Sequence, residues 1–432
     1  MNTIKKTIKN LLPKSIRQPL LNAYHLLVAV AANVRYGFPA RGAKVIMVTG
    51  TNGKTSTASL IAGMLENSSK SVGINTTAYY SYGGKTVQKK SSRTIEDMFD
   101  LHKMFSRMKK TGCEYIILEA TSQALDQNRL WGVPCEMAIM TNLTQDHLDY
   151  HGTMGGYAAA KAKLFKRRPR FTILNRDDEW FGYFNRFPAA ERKLSYGHNP
   201  EADAHIENVK LSASGSDIRL KIDDKTVAFR TRLAGNFNAY NSAAAAAAGY
   251  ILGLAPEDIG EGIASVGAVP GRLERVEAGQ PFDVIVDYAH TPDALDNVLG
   301  TMRQLAKGRV VAVFGATGDR DRGKRPLMGE IAARHADRIF VTDEETYTED
   351  GATIRTAIIK GIKEAGGQSK TTEIADRRKA IAAAFKQAKK GDAVVITGLG
   401  HELTRNMGGK AIEWNDTEVA KELLGQLKSR AS

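Results

Sequence analysis

The residues with the clearest chemical purpose lie between Gly50 and Ser56, in the run Gly50-Thr51-Asn52-Gly53-Lys54-Thr55-Ser56. Two glycines let backbone N–H groups approach a ligand closely. A lysine followed by hydroxyls at a helix start adds a mobile cation and a ligand for phosphate-bound magnesium. Phosphate binding is the chemistry these residues can do. The strict pattern Gly-x-x-x-x-Gly-Lys-[Ser/Thr] needs glycine where Val48 stands, so the loop is a variant, Gly50-x-x-Gly53-Lys54-Thr55. An ordinary tight turn is the competing reading; Lys-Thr at the helix start favours a nucleotide.

Two more groups follow at a distance. Glu119 opens a polar stretch that includes Thr121, Gln127 and Arg129, and Asp146-His147-Leu-Asp149-Tyr150-His151-Gly152 lies further on. A carboxylate and a histidine at neighbouring strand ends beside a phosphate loop suggest a magnesium site. Oxygen ligands suit that ion better than imidazole, so His147 alone is a weak signal and a structural role competes.

These residues need a parallel sheet to position them. Val45 to Val48 is apolar on both faces, as a strand buried from both sides is, and Leu60, Ile61, Met64 and Leu65 continue it at helical spacing. Tyr115 to Leu118 and Met137 to Met140 read as further short buried strands whose polar sequels sit at carboxyl ends, where open α/β sheets collect ligands. Tyr157 to Lys163 reads as a helix, and Ala243 to Ala248 as a close-packed helix capped by the residues before it. Val269-Pro270-Gly271 reads as a linker. Beyond it Val284 to Val286, Val310 to Phe314, Arg338 to Val341 and Ala393 to Ile396 alternate with helical stretches, as in a doubly wound sheet. The expected organisation is a short helical segment over 1–43, a central P-loop-type α/β domain over 44–270, and a Rossmann-like doubly wound domain over 271–432.

The bulk numbers bound this reading. At 432 residues, 42% hydrophobic and 25% charged, the chain is an ordinary globular protein with room for two or three cores. Its net charge of +14 implies anionic partners without choosing among nucleotide, sugar diphosphate, nucleic acid and lipid. Cys113 and Cys135 make no metal or redox spacing, so a reducing cytoplasm is expected. No apolar run reaches the roughly 18 residues of a spanning helix. Four lysines fall within Met1 to Lys14, and the Leu-, Val- and Ala-rich helix expected over Ile16 to Val34 either packs on the next domain or lies on a membrane surface.

Taken together the motifs resemble the Mur ligases. The resemblance rests on the glycine loop, on Glu119 with Gln127 and Arg129, on Asp146 to Gly152, and on Tyr157 to Lys161. It continues through Gly235-x-Phe-Asn-x-x-Asn241, Pro270-Gly-Arg-Leu-Glu274, Asp287-Tyr-Ala-His-Thr-Pro292 and Gly318-Asp-Arg-Asp-Arg-Gly-Lys-Arg-Pro-Leu-Met328. Within the family the chain looks like the muramoyl-tripeptide synthetases, from about Lys44 to its C-terminus. The resemblance implies an ATP-dependent ligase in which a substrate carboxylate takes the γ-phosphate and an amino-acid amine then displaces phosphate. It assigns the Gly50 to Ser56 loop, Asn238, Asn241, Arg272, Asp287 and His290 to ATP. Thr55, Glu119 and His147 would serve magnesium, with Lys161 as a lysine carbamylated by CO₂. Thr121, Gln127 and Arg129 would hold the muramoyl-peptide nucleotide, and Arg320, Glu344, Tyr347, Gly400 and Glu402 the amino acid. A monomer that takes small-molecule substrates and no nucleic acid is expected.

Three departures qualify the substrate. Only 43 residues precede the ATPase region, where the family has a uridine-nucleotide domain, so a lipid-linked or other γ-glutamyl-type acceptor, folate included, stays open beside a non-catalytic nucleotide-binding homologue. The family's Thr-Thr-Pro segment aligns with Arg93-Thr94-Ile95-Glu96-Asp97. Its Asp-Asn-Pro-Arg specificity motif aligns with Glu344-Glu345-Thr346-Tyr347. Losing that arginine removes a bidentate hold on a distal carboxylate. Two glutamates in its neighbourhood favour lysine or ornithine over diaminopimelate.

Overall fold

The computed structural model describes residues 14–89, 97–212 and 214–431. Its first large unit is a sheet of eleven strands: β1 (Lys44–Thr49), β2 (Val72–Asn75), β3 (Tyr79–Tyr82), β4 (Lys85–Gln88), β5 (Tyr115–Glu119), β6 (Met137–Met140), β7 (Phe171–Asn175), β8 (Arg192–Gly197), β9 (Ala204–Ser212), β10 (Gly215–Ile222) and β11 (Lys225–Thr231). The order is β11-β10-β9-β8-β7-β6-β1-β5-β2-β3-β4. From β2 to β9 neighbours run parallel, while β3, β4, β10 and β11 add antiparallel edges. β1 lies between β5 and β6, so the glycine loop, Glu119 and Thr141 emerge side by side at one sheet edge.

The second sheet, of six strands, holds β12 (Glu274–Arg275), β13 (Asp283–Asp287), β14 (Val310–Phe314), β15 (Arg338–Val341), β16 (Thr371–Glu373) and β17 (Ala393–Thr397), in the order β12-β13-β17-β14-β15-β16. All its pairs are parallel except β12 with β13. A hairpin, β18 (Thr404–Met407) with β19 (Lys410–Glu413), follows. Strands such as β14 and β17 are buried at every residue because helices cover both faces, which is why they read as unbroken apolar runs.

The helix Asn236–Ile251 is the densest packing element. Ala243 to Ala248 are each fully buried, because neighbours close on every side of the helix and leave room for a methyl group only. The helix packs on the helix Lys54–Asn67 and on strands β7 to β11. Its N-cap is Gly235, with no side-chain cap bond. The asparagines therefore do not cap it. Asn238 Nδ2 donates back to the Ala234 carbonyl at 2.7 Å, and Asn241 Nδ2 donates to Asn238 Oδ1 at 3.0 Å.

Val269 to Gly271 is a pinned turn. Arg272 N bonds to the Val269 carbonyl, Tyr288 N to the Gly271 carbonyl, and Gly271 sits at φ 64, where a Cβ would meet His401 N at 2.3 Å. The first described element, the helix Lys14–Arg35, packs against the helix Met98–Lys110 and is fastened by Asn33 Nδ2 to the Trp131 carbonyl at 2.7 Å. No helix among the described residues is long and apolar enough to cross a membrane.

Candidate active site

The loop after β1 is shaped by its two glycines. Gly50 has φ 150 and a Cβ there would stand 1.8 Å from Thr141 Oγ1; Gly53 has φ 82 and a Cβ would stand 2.2 Å from Asn241 Oδ1. Any side chain at either position would displace the neighbouring strand end or the alanine-rich helix. Asn52 N donates to Asn142 Oδ1 at 2.8 Å, and Thr51 N to the Asn142 carbonyl. The helix that begins at Lys54 aims its first N–H groups at the loop.

Two lysines meet at one carbonyl. Lys54 Nζ donates to the Gly50 and Thr51 carbonyls at 3.0 and 2.7 Å, and Lys161 Nζ to the same Gly50 carbonyl at 2.7 Å. Lys161 lies on the helix Met154–Phe165, is buried, and stacks 4.5 Å from the Tyr157 ring centroid. Burial and the nearby Lys54 charge depress the Lys161 pKa well below the usual amine range, Asp146 opposing only in part. Lys54 is depressed too, by burial first and by Arg272. A buried cation without a carboxylate contact is costly, so burial favours the neutral amine of Lys161 over its ammonium form.

Glu119, the last residue of β5, is fully buried. Thr77 holds it, donating N to Oε1 at 3.1 Å and Oγ1 to Oε2 at 2.8 Å. His147 sits in the left-handed region at φ 55 with Nε2 3.3 Å from Asp146 Oδ2. Burial and three neighbouring lysines lower the His147 pKa, leaving the neutral imidazole that can bind a metal. Burial alone would raise Asp146, but His147, Lys324 and His290 offset it and hold the carboxyl far below its usual range.

The second sheet closes over this edge. Asn52 Nδ2 donates to Asp293 Oδ2 at 2.6 Å, Arg272 Nη2 to Thr55 Oγ1 at 3.1 Å, and Gln145 Nε2 to Asp321 Oδ2 at 3.1 Å. Lys324 Nζ donates to the His290 carbonyl at 2.7 Å and lies 3.9 Å from Asp146. Asp287 fixes the turn that carries these groups, accepting from Leu273 N and Ala289 N at 2.7 Å each. A cavity of about 670 Å³ lies in the seam, lined by Gly53, Ser56, Asn241, Arg272 and Asp287, with Phe237 and Tyr240 as flat apolar wall. Asn238 faces into its own helix instead.

The donor set fits magnesium triphosphate. Among the described residues no three His, Cys, Asp or Glu side chains converge into a ready cage. Magnesium takes one or two carboxylates, with phosphate oxygens and water completing its shell. Glu119 and the Thr55 hydroxyl offer oxygen donors of that kind, and both Glu119 oxygens have lone pairs beyond those Thr77 uses.

The outer residues divide. Thr121 caps the helix Ser122–Asp126 through Ala124 N, and Gln127 Nε2 donates to Tyr150 OH at 3.1 Å. Arg129 lies just past that helix. Arg93 to Glu96 lie outside the described residues, whereas Asp97 caps the helix Met98–Lys110 by accepting from Phe99 N. On the second sheet Arg320 lies 5.2 Å above the Tyr347 ring, and Gly400, at φ 49, abuts Tyr288. Glu344 is buried with Oε1 accepting from Thr317 Oγ1 at 2.7 Å and Oε2 without a partner. Burial raises Glu344 and Glu345, and burial with the Glu345 charge pushes Glu402 up to about 8. Thr77, Asp146, Lys324 and Asp293 were not singled out from the sequence. Their roles come from contacts between distant segments; only the Asp-His-Leu-Asp and Gly-Lys-Arg-Pro signatures around Asp146 and Lys324 carried a signal.

A glycine loop at a helix start, with a carboxylate and two lysines at a seam between two parallel sheets, defines a two-lobed phosphate-binding α/β enzyme. Residues 48–249 match the Mur ligase middle domain and residues 271–400 the Mur ligase, glutamate ligase domain. The UDP-N-acetylmuramoyl-L-alanyl-D-glutamate–2,6-diaminopimelate ligase of Geobacillus kaustophilus is 40% identical over 95% of this chain and 85% of its own. The enzyme of the same name from Aquifex aeolicus is 40% identical over 91% and 80%. A solved structure of such a ligase matches at 33% identity with a TM-score of 0.62, over 90% of this chain and 79% of that one. Mycobacterium tuberculosis folylpolyglutamate synthase shares the fold alone, with a TM-score of 0.72 at 18% identity over 93% and 95%. The chain belongs to the Mur ligase family. It is an ATP-dependent, ADP-forming ligase that joins an acid to an amino acid.

Proposed function

We propose that this ligase adds the third, diamino residue to UDP-N-acetylmuramoyl-L-Ala-D-Glu in peptidoglycan precursor synthesis, as a cytoplasmic monomer. Residues 44–270 would hold nucleotide and acceptor, and 271–432 the incoming amino acid. The observation that carries the reading is the meeting of Lys54 and buried Lys161 at the Gly50 carbonyl, within range of Glu119 and His147 and opposite a cavity shared with the second sheet.

A carboxylate and a triphosphate repel each other, so their encounter needs cations held in place. Lys54 and the loop N–H groups receive the phosphates, and Arg272 and His290 approach from the second lobe. The acceptor carboxylate oxygen bonds to the γ-phosphorus as the bond to the β-bridging oxygen breaks, giving an acyl phosphate and ADP. The amino-acid ammonium first gives a proton to solvent; the free amine then attacks the carbonyl carbon, and as phosphate leaves with the C–O electrons the nitrogen gives up a second proton. Glu119, His147 and Thr55 would hold magnesium, which would supply screening of the phosphate charge. Closure of the second lobe keeps water from the acyl phosphate. The neutral Lys161 amine is the form that combines with CO₂, losing a proton and becoming an anion that supports a metal rather than repelling it.

For the amino acid, Tyr347 stands where an arginine would grip a distal carboxylate, and Glu344, Glu345 and Glu402 surround the region with acidic groups. That chemistry suits lysine or ornithine. Phosphate release measured across lysine, ornithine and diaminopimelate with the muramoyl-dipeptide nucleotide tests it. At least tenfold preference for a monocarboxylic diamino acid is expected, and preference for diaminopimelate would overturn the assignment. For Lys161, stripping CO₂ should slow the wild type and bicarbonate restore it. Lys161→Ala should lose roughly a hundredfold and respond to neither, and ¹³C-enriched bicarbonate should give a carbamate resonance only with the lysine present.

A further inference from the structure

The helix Lys14–Arg35 has two unlike faces. Inward, Leu21, His25, Ala29, Ala32 and Asn33 are buried, and Ala29 and Ala32 form a small core with Met98. Outward lie Leu20, Ala23, Leu27, Ala31 and Val34, spaced three and four apart and all exposed. A solvent-facing helix side in a globular protein normally carries charge. Here no charged residue falls between Arg17 and Arg35. Leu27 is 69% exposed, Val34 65% and Leu20 43%, so these are large apolar groups in water, not the rims of a core. The stripe runs about 21 Å at 1.5 Å per residue. Trp131, 41% exposed, extends it at the C-terminal end, where its ring lies 6.4 Å from Phe38 and Arg41 stacks on Phe38.

The charge around the stripe is mainly positive. Residues 1–43 hold four lysines, three arginines and no acid; the first acidic residue in the chain is Glu66. The helix packed alongside adds exposed Lys103, Arg107, Lys109 and Lys110 against Asp97 and Asp100. A second copy of this chain laid on the stripe, in either direction, would bring like charges together. An acidic, fluid, apolar surface is complementary.

We propose that this outward face docks the enzyme on an anionic lipid bilayer. The apolar stripe sinks to the headgroup–acyl boundary, Trp131 sits at the interface, and the lysines and arginines meet lipid phosphates. No helix among the described residues is long and apolar enough to cross a membrane, so the contact this face offers is interfacial. The role of this surface is independent of which amino acid is added.

Flotation of the full-length chain with phosphatidylcholine vesicles, with and without one-third phosphatidylglycerol, tests this. Binding is expected only with the anionic lipid, falling as salt rises. Each removed positive charge should cost roughly fivefold in partitioning. Leu27→Glu with Val34→Glu should lower it more than tenfold while ADP formation and melting temperature stay as in the wild type, because neither side chain touches the core. Trp131 fluorescence should shift to the blue with anionic vesicles, a signal lost in Trp131→Phe. Equal binding to neutral vesicles, no binding to either, or a dimer dissolved by the same double variant would each overturn the proposal.

Discussion

Glu402 shows how much a single residue's surroundings can decide. The Gly-His-Glu turn is visible in the sequence, but the carboxyl's burial beside Glu345 is not, and burial is what pushes its pKa to about 8. A folded-state pKa above the unfolded value means a stability contribution that is full below about 4.5 and lost as pH rises through about 8. Glu402→Gln should therefore melt a few degrees above the wild type at pH 9 and match it at pH 4 to 5. If the group receives an amino-acid ammonium, KM for that substrate should also fall as pH rises from 7 to 9, and the glutamine variant should flatten the profile. The loop glycines, Lys54, Glu119, His147 and Lys161 were legible because motif spacing survives in one dimension. Thr77 was not, since its hold on Glu119 joins residues 42 apart in the chain.

At the scale of elements, strands buried on both faces announced themselves as apolar runs, and β6, β14 and β15 keep the residue bounds their sequences suggest. The antiparallel extension β9 to β11 went unnamed, although Ile218, Leu220 and Ile222 alternate with polar residues as a one-sided strand should. Turn chemistry at Val269 to Gly271 was legible; what pins the turn, the Tyr288 N–H just past β13, was not. The alanine-rich helix was legible as a helix; its burial on all sides was not, since composition does not say what surrounds it. Ala246→Leu should cost about 1–3 kcal/mol through overpacking. A denaturant titration reads this as a lower midpoint with an unchanged slope.

The whole molecule is a seam between two sheets, and neither sequence half contains it. Its bonds, such as Asn52 to Asp293 and Gln145 to Asp321, were illegible because they exist only once the lobes meet. Asp293→Ala removes one of them at a cost of about 1.5–3 kcal/mol, the worth of a hydrogen bond to a charged group. A looser seam should admit water to the acyl phosphate. Acceptor-dependent phosphate release without amide product should then rise severalfold over the wild type, measured by comparing phosphate with peptide formed.

The alanine-rich helix belongs to this scale as well. Its Phe237 packs into the core of the second sheet while its alanines fill the first. In a library of every single substitution selected for growth, Ala243 to Ala248 would form an almost blank block, accepting little beyond glycine or serine. None of those methyl groups lines the cavity at the seam. A map of mutational intolerance would thus draw its boldest line through a girder rather than through the chemistry, and intolerance would have to be sorted by burial before being taken as a sign of catalysis.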